Sequence, residues 1–182
     1  MNFIKTERLF LVPVSEKHCT EEYCGWLNDP EVNEYLSTGS FPYTLEELSA
    51  FIKNYSSAKN VLFLAIHLQE NGKHIGNIKI EPIDFIHRTA EYGILIGDKA
   101  SWQKGYSKEA SVAVFKHCFN ILNIRKITLG VIEDNKNAVL LYNKLGFDTE
   151  GIYKKHLYCN GKYRNVLRMA LFNPALKEND DQ

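Results

Sequence analysis

Apolar and polar positions change period several times along the chain, and each change marks an element. Leu9, Leu11 and Val12 give a strand over residues 6–14, which Pro13 helps to end. Ser15 then caps a helix over residues 16–27. It stops at Asn28-Asp29-Pro30, because proline disfavours helical geometry in the residue before it. Thr44 and Glu47 have capping-box spacing, and Leu48, Phe51, Ile52 and Tyr55 follow at helical intervals. The period then shortens: residues 61–67, 74–80 and 89–97 are β-rich runs, read as three antiparallel strands. Residues 105–122 return to a helix that is apolar around much of its girth, through Ala110, Val114, Phe115, Cys118 and Leu122, so it needs cover on more than one side. Ile127, Leu129 and Val131 alternate with Lys126, Thr128 and Gly130 as a strand. A helix over residues 136–145 ends at Gly146. Two last strands, residues 147–158 and 164–172, turn at Asn160-Gly161.

The order is one strand, two helices, three strands, helix, strand, helix and two strands. A strand, long helix and strand crossover makes a parallel pair, so the strands of Glu91 and Lys126 are expected side by side. The pattern predicts a mixed α/β (α+β) chain with one domain over residues 1–174 and a polar tail over residues 175–182.

Composition narrows the function classes. With 182 residues, 45% hydrophobic, the chain is long enough for one core without disulfide or metal support. Lys plus Arg (22) equal Asp plus Glu (22), and no basic stripe interleaves with aromatics, so neither nucleic acid nor an anionic membrane is an expected partner. An anionic ligand must be held by local geometry. The four cysteines form no CxxC pair, which predicts reduced thiols and no metal, and the apolar runs are too short for a bilayer. The expectation is a cytoplasmic protein.

Chemistry enters at Trp102-Gln103-Lys104-Gly105-Tyr106-Ser107-Lys108-Glu109. A glycine lets backbone approach an anion, and the first turn of the following helix leaves its N–H groups unpaired. Read alone, the segment is more readily a plain strand-to-helix turn. It lacks a P-loop pattern and the three glycines of a dinucleotide fold. A second motif follows at residues 135–147: Asn-Lys-Asn-Ala-Val-Leu-Leu-Tyr-Asn-Lys-Leu-Gly-Phe. With Thr6-Glu7-Arg8-Leu9 and Glu91-Tyr92-Gly93-Ile94, the whole resembles the GNAT acetyltransferase superfamily. The branch it resembles holds the ribosomal-protein alanine N-acetyltransferases and the spermidine and nucleotide-sugar N-acetyltransferases.

That resemblance implies a mostly antiparallel central sheet of about seven strands, with helices on both faces and a splayed parallel pair parting near Ile96 and Leu129. It implies acetyl-CoA as co-substrate, its pyrophosphate on Gln103, Lys104, Gly105, Tyr106, Ser107 and Lys108. Trp102 stands where the family has Gln or Arg, and Ser107 where it has Gly or Ala. The pantetheine arm is expected on the backbone of Ile94, Leu95 and Ile96, with Asn135, Asn137 and Lys144 as further donor contacts. Capping explains Asn135 equally, and a solvated helix face explains the other two.

Moving an acetyl group from a thioester to an amine needs an uncharged amine, a stabilised oxyanion and a proton for the departing thiolate. Tyr142 matches the family's helix tyrosine and is on that ground the expected proton donor; read as a residue alone it is more readily a core tyrosine. Glu91 is the expected base, although a surface salt bridge explains a strand-end carboxylate as well, with Glu109 and Glu81 behind it. Trp26, Asn28, Tyr35, Tyr43 and Tyr158 are expected acceptor walls, suiting a small-molecule amine, an amino sugar or a protein N-terminus. A non-catalytic acyl-CoA-binding or regulatory module is the alternative, and family habit adds a homodimer.

Overall fold

Helices begin where a short polar side chain can take over their unpaired amides. The computed structural model describes residues 2–36, 41–56 and 58–176. In it the expected first helix is two pieces. Ser15 opens only a 3-10 turn, Glu16–His18, and the chain restarts at Thr20, whose hydroxyl accepts the Tyr23 amide at 3.2 Å to begin α1 (Glu21–Asn28). The second cap breaks the run. Helix α2 (Leu45–Ser56) starts as expected: the Thr44 amide donates to the Glu47 carboxylate at 2.9 Å, and the Glu47 amide to the Thr44 hydroxyl at 3.1 Å.

The expected first strand also divides. Thr6 turns the chain, its hydroxyl accepting the Leu9 amide and its own amide donating to the Leu9 carbonyl. Short β1 (Ile4–Lys5) thus folds back on β2 (Leu9–Pro13). Then come β3 (Leu62–Leu68), β4 (His74–Asp84), β5 (Thr89–Ile96), α3 (Tyr106–Asn120), β6 (Lys126–Ile132), α4 (Lys136–Lys144), β7 (Asp148–Cys159) and β8 (Lys162–Phe172). The sheet has eight strands, one more than expected, in the order β1-β2-β3-β4-β5-β6-β8-β7. All neighbours run antiparallel except β5 and β6. At the β7–β8 turn both Asn160 (φ 50°) and Gly161 (φ 76°) are left-handed, the backbone that a two-residue hairpin requires.

Strand alternation sorts side chains onto two faces. One face sets Leu9, Ile78, Tyr92, Ile127 and Leu129 against Ala110, Val114 and Phe115 of α3 and Tyr142 of α4. The other sets Ala65 under Tyr23, Trp26, Leu48 and Ile52 of α1 and α2. Ile127 and Leu129 are essentially solvent-free, worth about 1.5–3 kcal/mol each. That burial anchors β6 where its ladder to β5 is short. The ladder holds only Thr89↔Lys126, Ala90↔Ile127 and Glu91↔Thr128. Beyond it β5 follows β4 as far as Ile96, and β6 follows β8 as far as Ile132. The strands part at Leu129 on β6, as expected, but already at Tyr92 on β5. Of the expected polar tail, residues 175 and 176 belong to a 3-10 turn, Pro174–Leu176, and residues 177–182 lie outside the described residues.

Candidate active site

At one end of the gap lies the turn that opens α3. The Trp102 indole N–H donates to the Ile96 carbonyl at 2.7 Å, tying the end of β5 to the loop that follows. The chain then turns through two left-handed residues, Gln103 (φ 60°) and Gly105 (φ 80°), and Gly105 caps α3 without a side-chain acceptor. The amides of Tyr106, Ser107 and Lys108 have no acceptor among the described residues. A helix of this length adds roughly half a positive charge at that end. The Ser107 hydroxyl has no partner among the described residues, while its carbonyl accepts the Ser111 hydroxyl at 2.6 Å. Gln103, Lys104 and Lys108 are exposed, and Tyr106 is half-buried. A cleft of about 350 Å³ lined by Glu7, Arg8, Leu68, Gln69, Glu70 and Tyr106 borders the loop, but its two carboxylates make it a poor seat for an anion.

Around the parting of β5 and β6, the two faces offer different chemistry. Tyr142 lies on the α3–α4 face, buried, with its ring edge-on to Tyr92 (centroids 5.9 Å) and against Phe147. Burial pushes its phenol up to about 12. The hydroxyl has no hydrogen bond among the described residues, yet it is not among the sealed, unpartnered polar atoms, so it keeps access to open space. Glu91 points to the opposite face, as Gly93 and Leu95 do by alternation. Both its oxygens accept from Arg168, at 3.0 Å each. The Glu91 carboxylate also raises the Arg168 pKa, against the opposing effect of burial. Two glycines shape this face, one leaving open space and the other making room for Arg168. Gly93 has nothing within 4 Å of where a Cβ would stand, and a Cβ on Gly130 would meet the Arg168 guanidinium at 2.9 Å. Each Glu91 oxygen keeps lone-pair capacity for a further donor, such as an amine or a water.

The acetyltransferase (GNAT) domain profile matches residues 8–148. This chain belongs to the GNAT acetyltransferase family. Spermidine N-acetyltransferase from Vibrio cholerae, solved in complex with CoA and spermine, superposes with a TM-score of 0.83 over 92% of this chain and 96% of that one, at 26% identity. Spermidine N(1)-acetyltransferase from Escherichia coli K12 is 34% identical over 102 residues, 56% of this chain and 54% of that protein. Its Vibrio cholerae counterpart is 37% identical over 97 residues, 53% and 56%. In these alignments the GNAT chain spans about half the length of the curated relatives.

The GNAT chain's expected acceptor walls separate into two groups. Trp26 is buried against His74 (centroids 4.9 Å) and Gly97, where a Cβ would fall 2.0 Å from the indole, so it packs and does not face a groove. The Asn28 side chain is consumed by backbone: its amide donates to the Tyr43 and Cys24 carbonyls at 2.8 and 3.1 Å, and its oxygen accepts the Tyr43 amide at 2.7 Å. Tyr35, Tyr43 and Tyr158 keep partial or full exposure. Tyr35 and Tyr158 share a rim, because the Glu34 carbonyl accepts from the Cys159 thiol and the Asn160 amide of the hairpin tip. Residues 37–40 between them and Tyr43 lie outside the described residues.

Of the expected donor contacts, Asn135 caps α4, accepting the Ala138 amide at 3.1 Å, while Asn137 and Lys144 are exposed. Ile94, Leu95 and Ile96 lie on the unpaired side of β5, with the Ile96 carbonyl already engaged by Trp102. The two reserve bases are both occupied: Glu81 pairs with Lys79, and Glu109 is bound by Thr6 and Arg8. Three features escaped the sequence. Arg168 was signalled only by Gly130, since a glycine inside a strand marks a close approach. Arg8 reaches across 96 residues to the Lys104 carbonyl. His18, His67 and His74 have no sequence spacing, yet the Nε2 atoms of His18 and His67 are 3.3 Å apart and His74 stacks beside them.

Proposed function

We propose that this single-domain chain moves an acetyl group from acetyl-CoA directly to a primary amine of a small molecule. The carrying observation is the short β5–β6 ladder, which opens a gap with a backbone anion cradle at one end and Tyr142 and Glu91 on its two faces. Unpaired amides at the head of a fifteen-residue helix suit a pyrophosphate, with Gly105 and Ser107 leaving room beside them. Acetyl-CoA supplies the activated thioester. Glu91, oriented by Arg168, takes the amine's proton directly or through a water. Tyr142 donates to the leaving sulfur. At about 12 its phenol stays protonated through the neutral range, but the gap to a thiol of about 8.5 is wider than an ordinary phenol gives. Its first contribution is therefore a hydrogen bond to the developing thiolate, and proton transfer follows.

Relatives named for spermidine favour a small aliphatic amine over an amino sugar or a protein N-terminus. Tyr35 and Tyr158 are the acceptor walls in this proposal, with Tyr43 deeper between the helices. A second copy of the chain has its best footing on β7, the outer strand, where Ile152 and Tyr153 are exposed. A thiol-release assay across a panel of polyamines, amino sugars and peptides, with acetyl-CoA titration calorimetry, tests the reaction. Turnover with an aliphatic amine is expected. Tight binding without turnover returns the chain to a non-catalytic module, and neither binding nor release overturns the proposal.

A further inference from the structure

The loop from Gln103 to Gly105 needs support that its own sequence does not supply. A non-glycine residue in left-handed geometry, here Gln103, costs about 1–2 kcal/mol and persists only where neighbours enforce it. Among the described residues, one hydrogen bond joins the body of this loop to a distant part of the chain: the Arg8 guanidinium donates to the Lys104 carbonyl at 3.0 Å. The same guanidinium donates through Nε to Glu109 at 2.7 Å and lies over the Tyr106 ring, 4.7 Å from its centroid. Glu109 stands in the first turn of α3 and also accepts the Thr6 hydroxyl at 2.6 Å and the Arg8 amide at 2.8 Å. Burial pushes its carboxyl up, but these hydrogen bonds and the Arg8 charge outweigh it and hold the pKa low. The turn that carries Arg8 is itself fixed, with the Gln69 side-chain amide donating to the Thr6, Glu7 and Leu9 carbonyls.

We infer that Arg8 and Glu109 form a positioning clamp for the donor loop, a role that rests on the proposed function. The clamp acts in two ways. It holds the Lys104 carbonyl, so that the following amides keep their common direction. It also neutralises a carboxylate that would otherwise stand beside the cradle and repel a pyrophosphate. Thr6-Glu7-Arg8-Leu9, far from the gap in sequence, thereby becomes part of the donor site.

The test compares the full chain with Arg8→Ala, Arg8→Lys, Glu109→Gln and the Arg8→Ala/Glu109→Gln double variant, using CoA calorimetry and steady-state kinetics well below each Tm. Arg8→Ala is expected to raise the CoA Kd and the acetyl-CoA KM about tenfold, with kcat and the amine KM within about twofold. Arg8→Lys recovers less than half of the loss, because an ammonium lacks the fork that reaches Lys104 and Glu109 together. Adding Glu109→Gln to Arg8→Ala restores part of the affinity by removing the repelling charge. A lowered Tm with the CoA Kd unchanged makes the pair a plain structural staple and overturns the clamp. So does a fall in kcat at constant KM. If Arg8→Ala does not fold, Arg8→Lys decides alone: a CoA Kd raised by about threefold or more supports the inference and any smaller change sinks it. Loss of CoA binding by the unsubstituted chain overturns the donor reading itself, whereas a normal wild type with an unaffected Arg8→Ala overturns the clamp alone.

Discussion

The two faces of the sheet meet at the same gap but are held by different means. Toward α3 and α4, the chemistry is largely backbone: left-handed residues at Gln103 and Gly105, unpaired amides in the first turn of α3, and a ladder that stops after Glu91. Toward α1, α2 and the β7–β8 hairpin, it is side chains. An asparagine staples Tyr43, His74 packs against Trp26, and tyrosines stand exposed on the hairpin. On the proposed reading the first face holds the donor and the second the acceptor, so the two should respond to substitution independently. The contrast breaks if substitutions on the second face disturb donor binding as much as those on the first.

The largest expected effect is at Tyr142. Tyr142→Phe should lower kcat by about 100-fold or more while the acetyl-CoA KM moves by less than about threefold, measured by thiol release. A large KM change at constant kcat would return Tyr142 to a packing role. Next is an acid effect confined to the α1–α2 face. Burial, the largest cause, lowers the His74 pKa to about 4, with His18 and His67 opposing its charge. The unfolded chain therefore binds the proton first. Stability is whole above about pH 6.5, is lost as pH falls toward 4, and flattens below; the loss from His74 is on the order of 3 kcal/mol. Urea unfolding followed by tryptophan fluorescence at pH 7.5 and 5 should show it, and His74→Gln should shrink the difference. An undiminished acid loss in that variant places its source elsewhere.

Gly105→Ala tests the first face more gently. The nearest atom to a new Cβ, an Arg8 nitrogen, is 3.6 Å away, so the effect must come from the backbone. A left-handed alanine should cost about 1–2 kcal/mol of stability. CoA affinity should fall about tenfold, read by calorimetry. The smallest effect belongs to the hairpin. Tyr158→Ala should raise the KM of a cationic amine about two- to fivefold, the range of an exposed cation–π contact, with CoA affinity unchanged.

What was legible in the sequence follows the same divide. Helix caps such as Thr44, alternation such as that of β6, and the turn before α3 are local patterns, and each came out where it was expected. The misses were long-range or competitive. Thr20 broke a helix that apolar spacing alone runs together, and Thr6 divided a strand by turning its own backbone. Trp26 has the look of a groove aromatic, but Gly97, seventy-one residues away, gives it a buried slot. Arg168 reaches Glu91 across an intervening strand, a relation that no spacing in the chain records.

The early end of the β5–β6 ladder carries one more consequence. Tyr92 to Ile96 form an edge in the middle of a sheet rather than at its border. An outer edge invites another protein strand; this one opens onto the gap between β5 and β6, with α3 and α4 packed against one face. On the proposed reading, the donor's amide-bearing arm joins the sheet as a short surrogate strand. The enzyme then recognises its co-substrate by the grammar of β-structure, and loses that rung each time product leaves.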